Sequence, residues 1–141
     1  MDIDKLLKAL DNEKNEGLFN FTTEKMREMN KKIIKELKLS EEKHLDLLKK
    51  LENYKYVDEI NDLNNGSYIR WINITNLKKI HLSKGAIVCD IKITDNGILI
   101  VCKGFYHQHF QIKMDDCLVF QFLKSDEKVL LNALDYLSTS K

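Results

Sequence analysis

Two apolar runs flank Asp95-Asn96-Gly97: Ile87-Val88-Cys89-Asp90-Ile91-Lys92-Ile93 before it and Ile98-Leu99-Ile100-Val101-Cys102-Lys103 after it. Asn-Gly between runs of this kind is a strong local hairpin signal, because a type I′ turn needs positive φ at both central positions. A turn centred on Asn96-Gly97 sets Ile93 against Ile100, Ile91 against Cys102 and Cys89 against Gly104. Side chains alternate along a strand, so Ile87, Cys89, Ile91, Ile93, Ile98, Ile100 and Cys102 are expected on one face. Ala86, Val88, Leu99 and Val101 fall on the other, which is also apolar. A sheet apolar on both sides has to curl into a barrel or be covered by helices.

Three further stretches have strand character: 68–74, 110–114 and 117–123. With the hairpin they predict a five-stranded antiparallel sheet or small barrel. The chain ahead of it is helical in pattern. Ile3, Leu6, Leu7 and Leu10 sit at helical spacing, with Gly17 as a stop. Thr22 or Thr23 caps a second helix whose stripe is Met26, Met29, Ile33 and Leu37, with Glu24 in its first turn. Ser40 caps a third, with Glu41 and Glu42 in the first turn and Leu45, Leu48, Leu51 and Tyr54 on the inner face, widened by Leu47. The short link at Leu39-Ser40 favours a helical hairpin. Ser125 caps a last helix with Val129, Leu130, Ala133, Leu134 and Leu137 inward. The fold class expected is therefore α+β: an N-terminal helical arm over 1–62, then the sheet or barrel with its C-terminal helix over 63–141. The turn cluster beginning at Asp62 is the expected boundary.

Composition narrows the function classes. The 141 residues carry a formal net charge of +1, so nothing pulls the whole chain toward nucleic acid or an anionic surface. Of the 23 basic residues only Arg27 and Arg70 are arginine, and arginine supplies the planar fork that reads phosphates and guanine edges. No apolar run reaches the ~18 residues of a membrane span, and Met1-Asp2-Ile3-Asp4-Lys5 is not a secretion signal. An intracellular, reducing location follows, in cytoplasm or nucleus, with Cys89, Cys102 and Cys117 as free thiols.

No catalytic motif is present, and no cofactor is expected. The five glycines at 17, 66, 85, 97 and 104 are too dispersed for a phosphate loop. Cys117 with His107 or His109 lacks any mark of an oxyanion hole. Asp115-Asp116 reads as a turn between strands. The leading expectation is a non-catalytic protein-interaction module, self-associating or docking on a partner through its N-terminal helices. Helix 2–14 has too few apolar residues to be stable alone and needs a surface, its own or a partner's, to rest on. A second reading is a nucleic-acid-binding barrel: Tyr68 and Trp71, with Phe105, Tyr106 and Phe110, stack bases, while Arg70, Lys78, Lys79 and Lys84, with Lys103, meet phosphates. OB-like and SH3-like barrels use such an arrangement. A third is a structural zinc site at Cys102, His107, His109 and Cys117, with Cys89 or His81 in reserve, since zinc takes thiolate and imidazole ligands.

The C-terminal half also carries a resemblance. Gly85-Ala-Ile-Val-Cys-Asp-Ile-Lys-Ile, Lys113-Met-Asp-Asp-Cys-Leu-Val-Phe-Gln and Ala133-Leu-Asp-Tyr-Leu, with the Lys-, Ile- and Asn-rich composition, resemble small uncharacterised proteins of giant nucleocytoplasmic DNA viruses. The resemblance implies an intracellular viral setting, in an infected host cell. It carries no functional residue with it.

Overall fold

The structure, a computed structural model, describes residues 23–124 together with 128–129, 132–133 and 135–136. The chain divides into two compact units, 1–48 with 123–141, and 49–122. The class is α+β, with helices and an antiparallel six-stranded open sheet. No helix among the described residues is long and apolar enough to cross a membrane.

Helix α1 spans Thr23–Lys35 and α2 spans Glu41–Lys50. The N–H of Thr23, in the first turn of α1, donates to Asp135 Oδ1 at 2.8 Å, satisfying one of the free donors of a helix start. The buried positions of α1 are Met26, Asn30 and Ile34, so the stripe is rotated from the expected one, and Met29, Ile33 and Leu37 are only half-buried. Lys38 adopts φ 54°, the left-handed conformation that ends many helices, so the link to α2 is longer than Leu39-Ser40. Ser40 caps α2 as expected, its Oγ accepting from Lys43 N–H at 3.3 Å. Leu47 and Leu51 are buried while Leu45 faces solvent. Helix 2–14 lies outside the described residues. Of the expected C-terminal helix, 128–129, 132–133 and 135–136 are helical in backbone, and the rest lies outside them too.

The unit 49–122 holds six strands: β1 (Tyr54–Val57), β2 (Tyr68–Asn73), β3 (Ala86–Thr94), β4 (Gly97–Lys103), β5 (His109–Lys113) and β6 (Cys117–Phe122), in the order β1-β6-β2-β3-β4-β5. Every pairing is antiparallel. The additional strand is β1, expected as the frayed end of a helix. Tyr54 and Tyr56 stand opposite Phe122 and Phe120 on β6, with ring centroids 5.3 and 5.6 Å apart, the kind of cross-strand aromatic pair that fixes a short strand in register. Residues 62–67 are therefore internal to this unit and not a boundary between arm and sheet. The Gln121 side chain ties them down, donating from Nε2 to Asp62 O at 3.0 Å and accepting at Oε1 from Asn64 N–H at 2.8 Å. Gly66 N–H donates to Val88 O at 2.7 Å.

The β3–β4 hairpin differs from the expected register. Thr94 opposes Gly97 and Ile93 opposes Ile98, so Asp95-Asn96 form the turn and Gly97, at φ 110°, follows it. This is the type I turn closed by a left-handed glycine that competes with I′ for the same Asn-Gly. A bulge between Val88 and Asp90 then shifts the pairing, so that Val88 opposes Cys102 and Ile87 opposes Lys103. One extra residue reverses the alternation beyond it. Ala86 and Val88 therefore turn inward, and Ile87 and Cys89 outward. The core joins Val57, Leu63, Ile69, Ala86, Val88, Ile100, Cys102, Met114, Cys117 and Val119, with Trp71, Ile91, Ile98, Phe110 and Ile112 packed against it.

Ile100 is 0% exposed, and Ile93, expected on the same face, is 79% exposed. Ile100→Ala should cost about 3 kcal/mol through lost transfer energy and a residual cavity, and Ile93→Ala less than about 0.5 kcal/mol. Urea unfolding of the two variants, monitored by Trp71 fluorescence, checks the difference.

Candidate functional site

The outer face of the sheet, opposite the core, carries a row that crosses four strands. Tyr68 stands opposite Ile87, Ile87 opposite Lys103, and Lys103 opposite His109. At one end of this row the β4–β5 loop, residues 104–108, folds back over it. Together they enclose a cleft of about 250 Å³ lined by Tyr68, Gly85, Ala86, Ile87, Lys103, Gly104, Phe105 and His107. None of the lining residues is acidic.

Local chemistry explains the loop. Gly104 N–H donates to Gln108 O at 2.9 Å and His107 N–H to Gly104 O at 3.1 Å. The Gln108 side chain accepts from Tyr106 N–H at 3.0 Å. His107 is left-handed at φ 63°, which a non-glycine residue adopts at some cost and only where its surroundings hold it. The result is a fixed turn that exposes its aromatic side chains: Phe105 is 64% and Tyr106 91% exposed. The rings of Tyr68 and Phe105 pack at 6.3 Å with a 55° tilt. On the other wall the Tyr68 hydroxyl donates to Lys84 O. Gly85, at φ 104°, admits the Tyr68 ring, since a Cβ there would meet the Tyr68 hydroxyl and lie 2.8 Å from Ile69 O. Ile87, 45% exposed, completes an apolar rim that exists only because of the bulge.

The residues expected to meet nucleic acid are distributed over both faces and a loop. Tyr68 lines the cleft, and Lys84 meets it through its backbone carbonyl, which accepts from the Tyr68 hydroxyl. Trp71 packs on the core face against Phe110, at 5.7 Å. Arg70 lies on the face opposite to Trp71, with its Nε donating to Ser83 O at 2.8 Å. Lys78 and Lys79 are exposed in the 74–85 connection, where the backbone N–H of Lys78 donates to Asn76 Oδ1 at 3.1 Å. Phe105 and Tyr106 do stand in the open.

The four residues considered for zinc do not converge. Cys102 opposes Phe110 and Lys103 opposes His109, so strand alternation sends the Cys102 thiol into the core and the His109 ring outward. Cys102 and Cys117 are buried, and His107 and His109 are exposed. Among the described residues no group of three or more His, Cys, Asp or Glu side chains is placed to hold a metal. Asp115 and Asp116 belong to the 3₁₀ turn Met114–Asp116 between β5 and β6. Cys89, expected on the same face as Cys102, is exposed, because it sits at the bulge.

Burial pushes the Cys102 thiol up to about 12, with Cys89 and Cys117 adding to the effect, and burial beside Asp116 pushes Cys117 up to about 11. Neither forms the thiolate a nucleophile needs at neutral pH. No protein-family model, curated protein or solved structure matches the chain, so the chemistry of the cleft is read from its own residues.

A thiol pKa raised in the folded state stabilises the fold below the unfolded pKa, and that stabilisation is lost as pH rises toward the folded value. Stability should therefore hold below about pH 8.5, the ordinary thiol value, and fall on the way to 11. Melting temperatures between pH 7 and 10.5, compared with those of a Cys102→Ala, Cys117→Ala variant, check this: the variant should lose less stability across the range. At pH 8, dithionitrobenzoate should label Cys89 rapidly and label Cys102 and Cys117 only on unfolding.

Proposed function

We propose that this chain is a non-catalytic protein-interaction module whose binding surface is the aromatic end of the 49–122 unit. The observation that carries the reading is the fixed loop 104–108, which holds Phe105 and Tyr106 in solvent, Phe105 beside Ile87 and Tyr68. Leaving large apolar side chains in water has no structural return, and an apolar patch rimmed by polar groups is the usual mark of a partner surface. Tyrosine and other aromatics anchor such contacts because they bury much area at low entropic cost. An aliphatic member, Ile87, suits a protein partner better than a stack of bases. The surface supporting this reading lies on the β4–β5 loop, whereas the first helix, also expected to bind, lies outside the described residues. An intracellular viral setting remains part of the proposal and rests on the sequence resemblance.

Photocrosslinking tests the reading. Benzoylphenylalanine in place of Tyr106 should give discrete protein adducts in extracts of the source cell, and Phe105→Ser in the same chain should lower their yield about thirtyfold, the loss of one aromatic hot spot. The same probe in place of Glu59, exposed just beyond β1 at the far edge of the sheet, should give none above background. Equal adducts at both positions, or adducts removed by nuclease, would overturn it.

A further inference from the structure

Strand β5 is the last in the sheet, and among the described residues no strand pairs with its outer edge. We infer that this edge accepts an extended segment of a partner protein in which carboxylate and aliphatic side chains alternate, added as a further strand. The inference rests on the protein-interaction reading and deepens it by naming the mode and the chemistry of the partner.

Three observations carry it. The first is the hydrogen-bonding sense of the edge. Gly104 N–H bonds to Gln108 O, and hydrogen-bonded pairs alternate along an antiparallel ladder. With Cys102 opposite Phe110 and Ile100 opposite Ile112, the backbone groups of Phe110 and Ile112 point at β4. Those of His109, Gln111 and Lys113 point away, toward the open edge. Such a row of donors and acceptors is the template used in strand addition. The second is the alternation of side chains. Phe110 and Ile112 are half-buried on the core face, so alternate residues of an added strand find apolar neighbours there. The third is charge. The outer face beside the edge carries Lys103, His109 and Lys113, with Lys92 opposite Leu99 and Leu99 opposite Lys113; the acids nearby are Asp90, opposite Val101, and Asp115, just past β5 with its carboxylate against Gly97. No carboxylate lies on β5 itself. A strand bringing Glu or Asp opposite Lys113 meets opposite charge, whereas a second copy of β5, which has no carboxylate, offers Lys113 none.

The test uses the full chain labelled with nitrogen-15 and two eight-residue peptides, one alternating valine and glutamate, the other valine and lysine. The valine–glutamate peptide should shift the amide signals of His109, Gln111 and Lys113 in a saturable way and slow their hydrogen exchange. The valine–lysine peptide should bind about tenfold more weakly, the effect of a few reversed cross-strand charges. Gln111→Pro removes an outward N–H and no β4 hydrogen bond, a substitution edge strands tolerate, and should abolish binding. Lys113→Glu, which leaves the backbone intact, should weaken the glutamate peptide about threefold and strengthen the lysine peptide. Equal binding of both peptides, unmoved β5 amides, or amides already protected in the free chain would overturn the inference. So would β5 shifts that grow with protein concentration alone, which would mean self-pairing, or shifts with a thymidine oligonucleotide that exceed those with the peptide. Should the peptides fail while Tyr106 still crosslinks a protein, edge addition falls and the interaction reading stands. Failure of the crosslink removes the reading itself.

Discussion

The unpaired residue in β3 between Val88 and Asp90 decides what each side of the sheet presents. Without it the alternation from Ile93 back to Ile87 would run unbroken and place four isoleucine and cysteine side chains on the core face. With it Ala86 and Val88 enter the core beside Cys102 and Ile69, and Ile87 and Cys89 turn to solvent. Two small or medium side chains inside leave room for Trp71 and Phe110 to pack against the same core. One side chain of each kind outside gives the cleft its aliphatic wall and the chain its exposed thiol. The fold's apolar balance and its candidate site thus share one cause, a local departure from the regular ladder.

Much of this was legible from residue order. The strands flanking Asn96-Gly97, the antiparallel class and the Ser40 cap each rest on a strong local signal, a turn dipeptide or a capping side chain at the right offset. What escaped has physical reasons. Asn-Gly serves both the I′ turn and the type I turn with a following glycine, and the two registers differ by two residues, so facing side chains stay on their face while their partners change. The bulge leaves no mark in a run where 86 to 89 are all apolar and so is every second residue from 87 to 93. Strand β1 is held by Tyr54 and Tyr56 against β6, pairs made with residues more than sixty positions away, and Leu51 to Tyr54 at helical spacing masks it. At the site, Phe105, Tyr106 and Tyr68 were visible as aromatics, but only the fold shows that Tyr68 and Phe105 meet while Trp71 and Phe110 face the opposite way.

The cysteines make the same point from the side of chemistry. Three thiols and four histidines in one chain invite a metal or a nucleophile. Reactivity, however, requires convergence and a stabilised thiolate. Strand alternation separates Cys102 from His109 although they come from neighbouring pairs of the same ladder, and burial raises Cys102 and Cys117 away from ionisation. These two serve as small apolar fillers of the core, and Lys103, His109 and Lys113 stand on the other face of the sheet.

That face combines rigidity with incompleteness. The loop 104–108 is braced by its own backbone and by Gln108, so Phe105 and Tyr106 lose little freedom when covered, and binding keeps energy that a floppy loop would spend on ordering. Yet the exposed rings and one aliphatic side chain alone fall short of the roughly 800 Å² per partner that stable complexes bury. A ligand resting only on the cleft would be held weakly. Backbone groups along β5 lie at the end of the same Tyr68–Ile87–Lys103–His109 row, and a strand laid there passes within reach of the loop that displays the aromatics. Main-chain hydrogen bonds are indifferent to side-chain identity, so they add affinity without selecting a partner. In the proposed complex, selection would then fall to the aromatic loop and to the lysines beside the edge, which is a division of labour that a small, nearly neutral chain with two arginines can sustain.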